Sequence, residues 1–173
     1  ESGIAGDWRH QLSQSNAPSS PEALVQAIVD MDLENSVLVD NTASTDASDV
    51  YEQALAHSIA VVASNKIAAS DAQARYAGLK SLALRMGVEY RFETNVGAGL
   101  PLIDTIQHLV QSGDRIHKIE GMFSGTLNYV FSNFNDGITF KKVIEDARAA
   151  GLTEPDPRTD LSGVDVQRKI LIL

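Results

Sequence analysis

The sequence contains no cysteine. Disulfides, thiolate metal sites and cysteine nucleophiles are therefore excluded. A reducing compartment fits this composition, and a cytoplasmic protein is the expectation. No apolar run approaches the ~20 residues needed to span a bilayer, and no signal-peptide pattern opens the chain. Positive charge is scarce: 14 Lys and Arg stand against 23 Asp and Glu, a formal net charge of −9. That balance argues against nucleic acid or a membrane surface as partner, while an anionic small molecule needs only local positive charge. The four histidines show no metal-ligand spacing. Internal repeats, low-complexity tracts, a P-loop and a G-x-S-x-G turn are also missing.

What is present is ordinary for a globular protein, with 43% hydrophobic and 21% charged residues in a chain of 173. That is enough for one sizeable core or for parts of two smaller domains. Two helical patches flank a polar loop over residues 14–20. Ser20, Pro21 and Glu22 form a helix start, combining an N-cap oxygen, a first-turn proline and an acid near the dipole. Val37-Leu38-Val39 reads as a strand ending at Asp40-Asn41-Thr42, and its unbroken apolar character predicts burial on both faces. A helix from Asp49 to His57 and a strand from Ile59 to Ala63 follow. A capping box of Ser70 and Gln73 opens a helix to Met86, which Gly87 stops. This alternation predicts a parallel α/β sheet.

The pattern then changes. Val88 to Thr94 reads as a strand, Gly97-Ala98-Gly99 as a tight loop, and Pro101 as the opening of a helix to Ser112-Gly113. Arg115 to Phe123 reads as a strand. Ser124 leads into a helix through Phe134, and Thr139 caps another through Ala150-Gly151. Strands and helices no longer alternate, which marks the start of an α+β unit. Both ends read as cut: Glu1 replaces an initiator Met, and the apolar helix from Val164 still runs at Leu173.

Several segments have the residue types for chemistry. Between Thr153 and Lys169 two prolines hold the chain extended, and Glu154, Asp156, Asp160 and Asp165 crowd together. Ser162 with Asp165 suits a helix N-terminus, which puts Asp165 and Lys169 at i and i+4 on one face. A fixed carboxylate–ammonium pair there could bind an amino acid and shuttle a proton. The same residues could also form a solvated ion pair on a surface loop. Ser64-Asn65-Lys66 lies just past a strand's carboxyl end, where open parallel sheets bind ligands, and Asn41-Thr42 holds the equivalent place after the preceding strand. Either could be a plain polar turn. Glu93 through Pro101 does not match a dinucleotide fingerprint, because Leu102 stands where the third glycine belongs. Its carbonyls could converge on a hard cation, or the segment could be an ordinary turn. Gly121 through Thr126 is a strand-to-helix turn of a common kind, able to present amides to an anion.

Asn95-Val96-Gly97-Ala98-Gly99-Leu100-Pro101, Phe123-Ser124-Gly125-Thr126-Leu127-Asn128-Tyr129 and Gly151 through Lys169 together resemble the homoserine dehydrogenases. The resemblance runs from about Val37 onward. The residues before Val37 look like the matching stretch of bifunctional aspartokinase–homoserine dehydrogenases. It implies an α/β fold: the C-terminal part of a Rossmann-like NAD(P)-binding sheet over residues 1–95, then the start of an α+β catalytic and dimerisation domain over 96–173. The implied reaction is reduction of L-aspartate 4-semialdehyde to L-homoserine by NADPH or NADH, in threonine and methionine biosynthesis, by a homo-oligomer.

By that resemblance Lys169 is the proton donor to the carbonyl oxygen and Asp165 its acidic partner. Glu154 and Asp160 bind the substrate, with Lys66, Gly125 and Thr126 beside it. Asn41, Thr42, Ser64, Asn65 and Lys66 line the nicotinamide side, Ser64 standing where relatives often have Pro. The carbonyls of Glu93, Val96, Ala98 and Leu100 resemble a structural site for Na+ or K+. A Gly-rich pyrophosphate loop does not occur in these residues, so the segment alone is expected to be inactive. Two rival readings stand beside this one. The first is a non-catalytic regulatory or ligand-binding domain of the same fold. The second is another nicotinamide oxidoreductase with the same plan.

Overall fold

A computed structural model describes residues 6–16, 19–153 and 156–173. Helices α1 (Trp8–Gln14) and α2 (Pro21–Met31) come first, and the Ser20 hydroxyl accepts from Ala23 N, as the helix-start pattern predicts. Strand β1 (Val37–Asp40) follows, then two short helices, α3 (Thr45–Asp49) and α4 (Tyr51–Ala56), where the sequence predicts one. Strand β2 (Ala60–Ala63), helix α5 (Gln73–Met86) and strand β3 (Tyr90–Arg91) complete a parallel sheet of order β1-β2-β3.

In this sheet Leu38 pairs with Val61 and Val61 with Tyr90, and all three are buried. Helices α4 and α5 pack against one another beside this row, with Leu55, Leu79 and Ala83 in the same core. The next row, Val39, Val62 and Arg91, is exposed. Burial on both faces is thus corrected: among the described residues helices cover one face, so strands of unbroken apolar sequence alternate in burial.

Five further expectations change. The Ser70–Gln73 capping box does not form. Ser70 lies in a 3₁₀ turn (Ala68–Ser70), and its hydroxyl donates to the Lys66 carbonyl at 2.7 Å. Asp71 precedes α5 and accepts from Ala72 N and Arg75 Nη1 at 2.7 Å each, while the helix itself starts without a side-chain cap. The strand read over 88–94 ends at Arg91, where a 3₁₀ turn (Glu93–Asn95) curls the chain away.

Helix α6 (Leu102–Gln111) follows. Residues 115–123 form no strand, since no other described segment lies alongside to complete a ladder. Helices α7 (Gly125–Asn133) and α8 (Phe140–Ala149) are capped by Ser124 and, as predicted, by Thr139, and enclose a second small core of Val130, Val143 and Ala147. Two helices close the chain, α9 (Pro157–Leu161) and α10 (Val164–Ile172). The proline-held extended loop is thus a helical turn from Pro157 on, because a proline at the first position suits a helix. Ser162 and Gly163 link α9 to α10, and Gly163, at φ 72°, displaces Ser162 from the predicted cap position.

Candidate active site

Segments far apart in sequence meet at the carboxyl rim of β1 and β2, and a buried acid lies beneath them. Asp40, the last residue of β1, is 5% exposed. Its Oδ1 accepts from Thr42 N at 2.7 Å, and its Oδ2 accepts from Tyr51 Oη at 2.6 Å and Asn65 Nδ2 at 3.0 Å. Burial pushes this carboxyl up, but the donors from Tyr51, Thr42 and Asn65 outweigh it and hold the group below the ordinary carboxylate range.

Asn65 is itself 2% exposed. Its amide also donates to the Ser44 carbonyl at 2.8 Å, and its Oδ1 accepts from Ile67 N at 3.0 Å. Its own carbonyl accepts from Asn95 Nδ2 at 3.3 Å. These bonds fix the direction in which the chain leaves β2, one residue before Lys66.

Lys66 reaches the last helix. Its Nζ lies 3.4 Å from Asp165 Oδ1, while Lys169 Nζ lies 2.7 Å from Asp165 Oδ2. Lys169 also donates to the Phe123 carbonyl at 2.7 Å. Helix α10 is held for this contact by Ile172 and Leu173, which pack on the main core, and by its seat on the 3₁₀ turn after Lys66. Burial raises the Asp165 carboxyl, but the hydrogen bond from Lys169 and the charges of Lys66 and Lys169 bring it below its ordinary range. One ionised carboxylate thus stands between two ammonium groups.

Thr126, at the start of α7, has its hydroxyl within hydrogen-bonding reach of the Leu152 carbonyl and of Asp160 Oδ1, the latter at 3.1 Å. A single hydroxyl proton serves one of them at a time. Gly125 faces open space, so a Cβ there would meet nothing within 4 Å.

The predicted residues therefore divide. Lys66, Asp165 and Lys169 converge, and Thr126 joins Asp160 in a second pair. Asn41 and Thr42 are exposed on the rim and Ser64 is half-buried there, whereas the Asn65 side chain is occupied within the protein. Glu154 lies outside the described residues. The sequence reading missed Asp40, Tyr51 and Asn95.

Around the glycine turn the geometry is mixed. The Glu93 carboxylate caps α6, its two oxygens accepting from Ile103 N and Asp104 N at 2.9 Å each. Val96 is buried, and Ala98 has φ 51°. The Leu100 carbonyl already accepts from Leu102 N at 2.9 Å. Asn95 Oδ1 is buried and has no hydrogen-bond partner among the described residues. No group of three or more His, Asp or Glu side chains is placed to hold a metal among the described residues.

The model of the homoserine dehydrogenase NAD binding domain matches residues 3–93, and the homoserine dehydrogenase model matches residues 101–173. The chain belongs to the homoserine dehydrogenase family. The bifunctional aspartokinase/homoserine dehydrogenase 1 of Zea mays, a chloroplastic protein, is 43% identical over 96% of this chain and 18% of its own length. The homoserine dehydrogenase of Schizosaccharomyces pombe is 38% identical over 96% of this chain and 46% of its own. A hyperthermophilic archaeal homoserine dehydrogenase in complex with NADPH superposes with a TM-score of 0.76 at 28% identity, covering 96% of this chain and 52% of that one. The chain therefore spans about half the length of the yeast relative and less than a fifth of the maize one. In this homoserine dehydrogenase segment the Lys66–Asp165 contact joins the two matched regions. Among the described residues no helix is long and apolar enough to cross a membrane.

Proposed function

We propose that the polypeptide bearing this segment catalyses the interconversion of L-aspartate 4-semialdehyde and L-homoserine with NAD(P)H. The observation that carries the reading is the Asp165 carboxylate held between Lys66 and Lys169 at the rim of a parallel sheet, the edge where such sheets bind ligands. The exposed polar side chains of Asn41 and Thr42 and the half-buried Ser64 suit the carboxamide and ribose of a nicotinamide cofactor, which supplies the hydride when bound.

This chain's own residues do the rest. Lys169 gives the proton to the substrate oxygen as it gains negative charge, and regains it from solvent. Asp165 holds the Lys169 ammonium in place. Lys66 offers positive charge at the junction of cofactor and substrate. Asp160, positioned by Thr126, and Glu154 receive the substrate ammonium, fixing the aldehyde in a reactive pose. Residues 1–95 form the cofactor side and 96–173 the substrate side.

The carbonyls of Glu93, Val96, Ala98 and Leu100 hold a structural Na+ or K+ in this reading. Asn95 Oδ1, in the same segment, is buried and has no hydrogen-bond partner among the described residues, which supports it, since a buried oxygen needs a partner. The exposed apolar side chains of Ile116, Ile119, Met122 and Phe131 support a homo-oligomer formed through the second region. The lack of cysteine supports a reducing compartment such as the cytoplasm.

The test is NAD(P)H oxidation by the full polypeptide, measured with aspartate 4-semialdehyde and with a panel of other aldehydes. Turnover with the semialdehyde preferred over the panel is expected. Preference for another aldehyde would favour a different oxidoreductase, and cofactor binding without turnover would favour the non-catalytic domain.

A further inference from the structure

We infer that Asp40 is a positioning residue, which aims both turns of the cofactor-side rim from beneath through one buried carboxylate. The inference rests on the proposed dehydrogenase reading, in which those turns meet the nicotinamide and carry Lys66.

The geometry is that of a hub. The Asn41-Thr42 turn hangs on Oδ1 through the Thr42 amide, and the Asn65-Lys66 turn hangs on Oδ2 through the Asn65 side chain. Backbone bonding joins the same places, since Ser64 N donates to the Asp40 carbonyl at 2.9 Å. Asn65 passes the constraint on twice, to Ser44 on the first turn and to Ile67 just after Lys66. Asn95 adds a tie from the glycine turn to the Asn65 carbonyl. Lys66 is then aimed at Asp165 from a chain whose direction has already been set. A core needing only to satisfy the Tyr51 hydroxyl could use one neutral acceptor. Three donors converging on two oxygens, two of them from the rim, call for a carboxylate.

Asp40→Asn tests this, because an amide cannot serve all three donors. Turned one way, its NH₂ opposes the Thr42 amide; turned the other, it opposes the Asn65 amide. Tyr51→Phe is the control: it removes a buried donor to the same carboxylate yet leaves both rim bonds in place. The measurements, on the full polypeptide, are the Kd for NADPH by fluorescence titration, the KM for the amino-acid substrate, and Tm. The inference expects D40N to raise Kd or KM about tenfold, and Y51F to keep both within about twofold while its Tm falls.

If D40N and Y51F lower Tm alike and D40N leaves Kd and KM within about twofold, Asp40 is merely a satisfied core acid and the inference is overturned. Should D40N fail to fold, Asn65→Ser breaks the Asn65 arm, with its ties to Ser44 and Ile67, and leaves the Asp40–Thr42 bond in place. A rise in substrate KM then supports the inference, and unchanged KM overturns it. Wild-type protein that binds no NADPH overturns the underlying reading, and this inference with it.

Discussion

Lys66 Nζ and Asp165 Oδ1 stand 3.4 Å apart, and they belong to the two regions matched by separate family models. The ammonium leaves the turn after β2; the carboxylate is in the first turn of α10. Neither region alone can make the pair, so the contact reports directly on how the two are joined.

Removing the shared anion should show in kinetics. Asp165→Asn leaves two ammonium groups facing each other with no charge between them. A fall in kcat of about tenfold to a hundredfold is expected, because Lys169 loses its aim. Steady-state assays with the full polypeptide check this; a change confined to KM would assign Asp165 to substrate binding alone.

The pH dependence has a fixed sign. The folded Asp165 carboxyl lies below its ordinary value, so its stabilising contribution is complete above that ordinary value, about 4. It is lost as pH falls through the lowered folded value. The stability difference between wild type and D165N, from denaturant titrations, should therefore be flat from about pH 7 to about pH 5 and shrink only below about pH 4. Asp40, with a carboxyl also below the ordinary range, should show the same acid-side loss when wild type is compared with D40N.

Glu93 should matter to stability through its side chain. It accepts from the second and third amides of α6, so Glu93→Ala should cost about 1 kcal/mol, in the manner of a lost helix cap. Glu93→Gln keeps one acceptor and should cost less. Thermal denaturation of the two variants checks the order.

Gly97 is fixed twice over. Its φ is 82°, and a Cβ there would lie 2.5 Å from Leu102 Cδ1. Gly97→Ala should destabilise by more than about 1 kcal/mol. Adding Leu102→Ala removes the collision but leaves the backbone strain. The double variant should therefore fall short of the sum of the two single losses in Tm shift.

Much of the fold could be read from pattern and caps. Ser20 and Thr139 each cap the helix the sequence assigns them, and β1, β2 and α5 follow from apolar runs punctuated by polar turns. What misled was competition between neighbours. The Lys66 carbonyl drew the Ser70 hydroxyl away from the start of α5, and Gly163 displaced Ser162 at the start of α10. Glu93 turned from a strand residue into a cap for a helix several residues on.

Residues 115–123 alternate like a strand, but a ladder needs a partner that composition cannot supply. At the site, Asp165 and Lys169 were legible as an i, i+4 pair and Lys66 as a lysine just past a strand's carboxyl end, and resemblance put the three in one site. Asp40 was not, because an acid at the end of an apolar run looks like a rim residue. Only the packing of Tyr51 and Asn65 over it reveals a buried hub.

The most direct test of the account is kcat for aspartate 4-semialdehyde reduction by Lys169→Ala in the full polypeptide, alongside the Kd for NADPH. Lys169 is expected to supply the proton, so kcat should fall by at least about a hundredfold with Kd nearly unchanged. A kcat within about twofold of wild type would contradict the assignment of chemistry to this cluster.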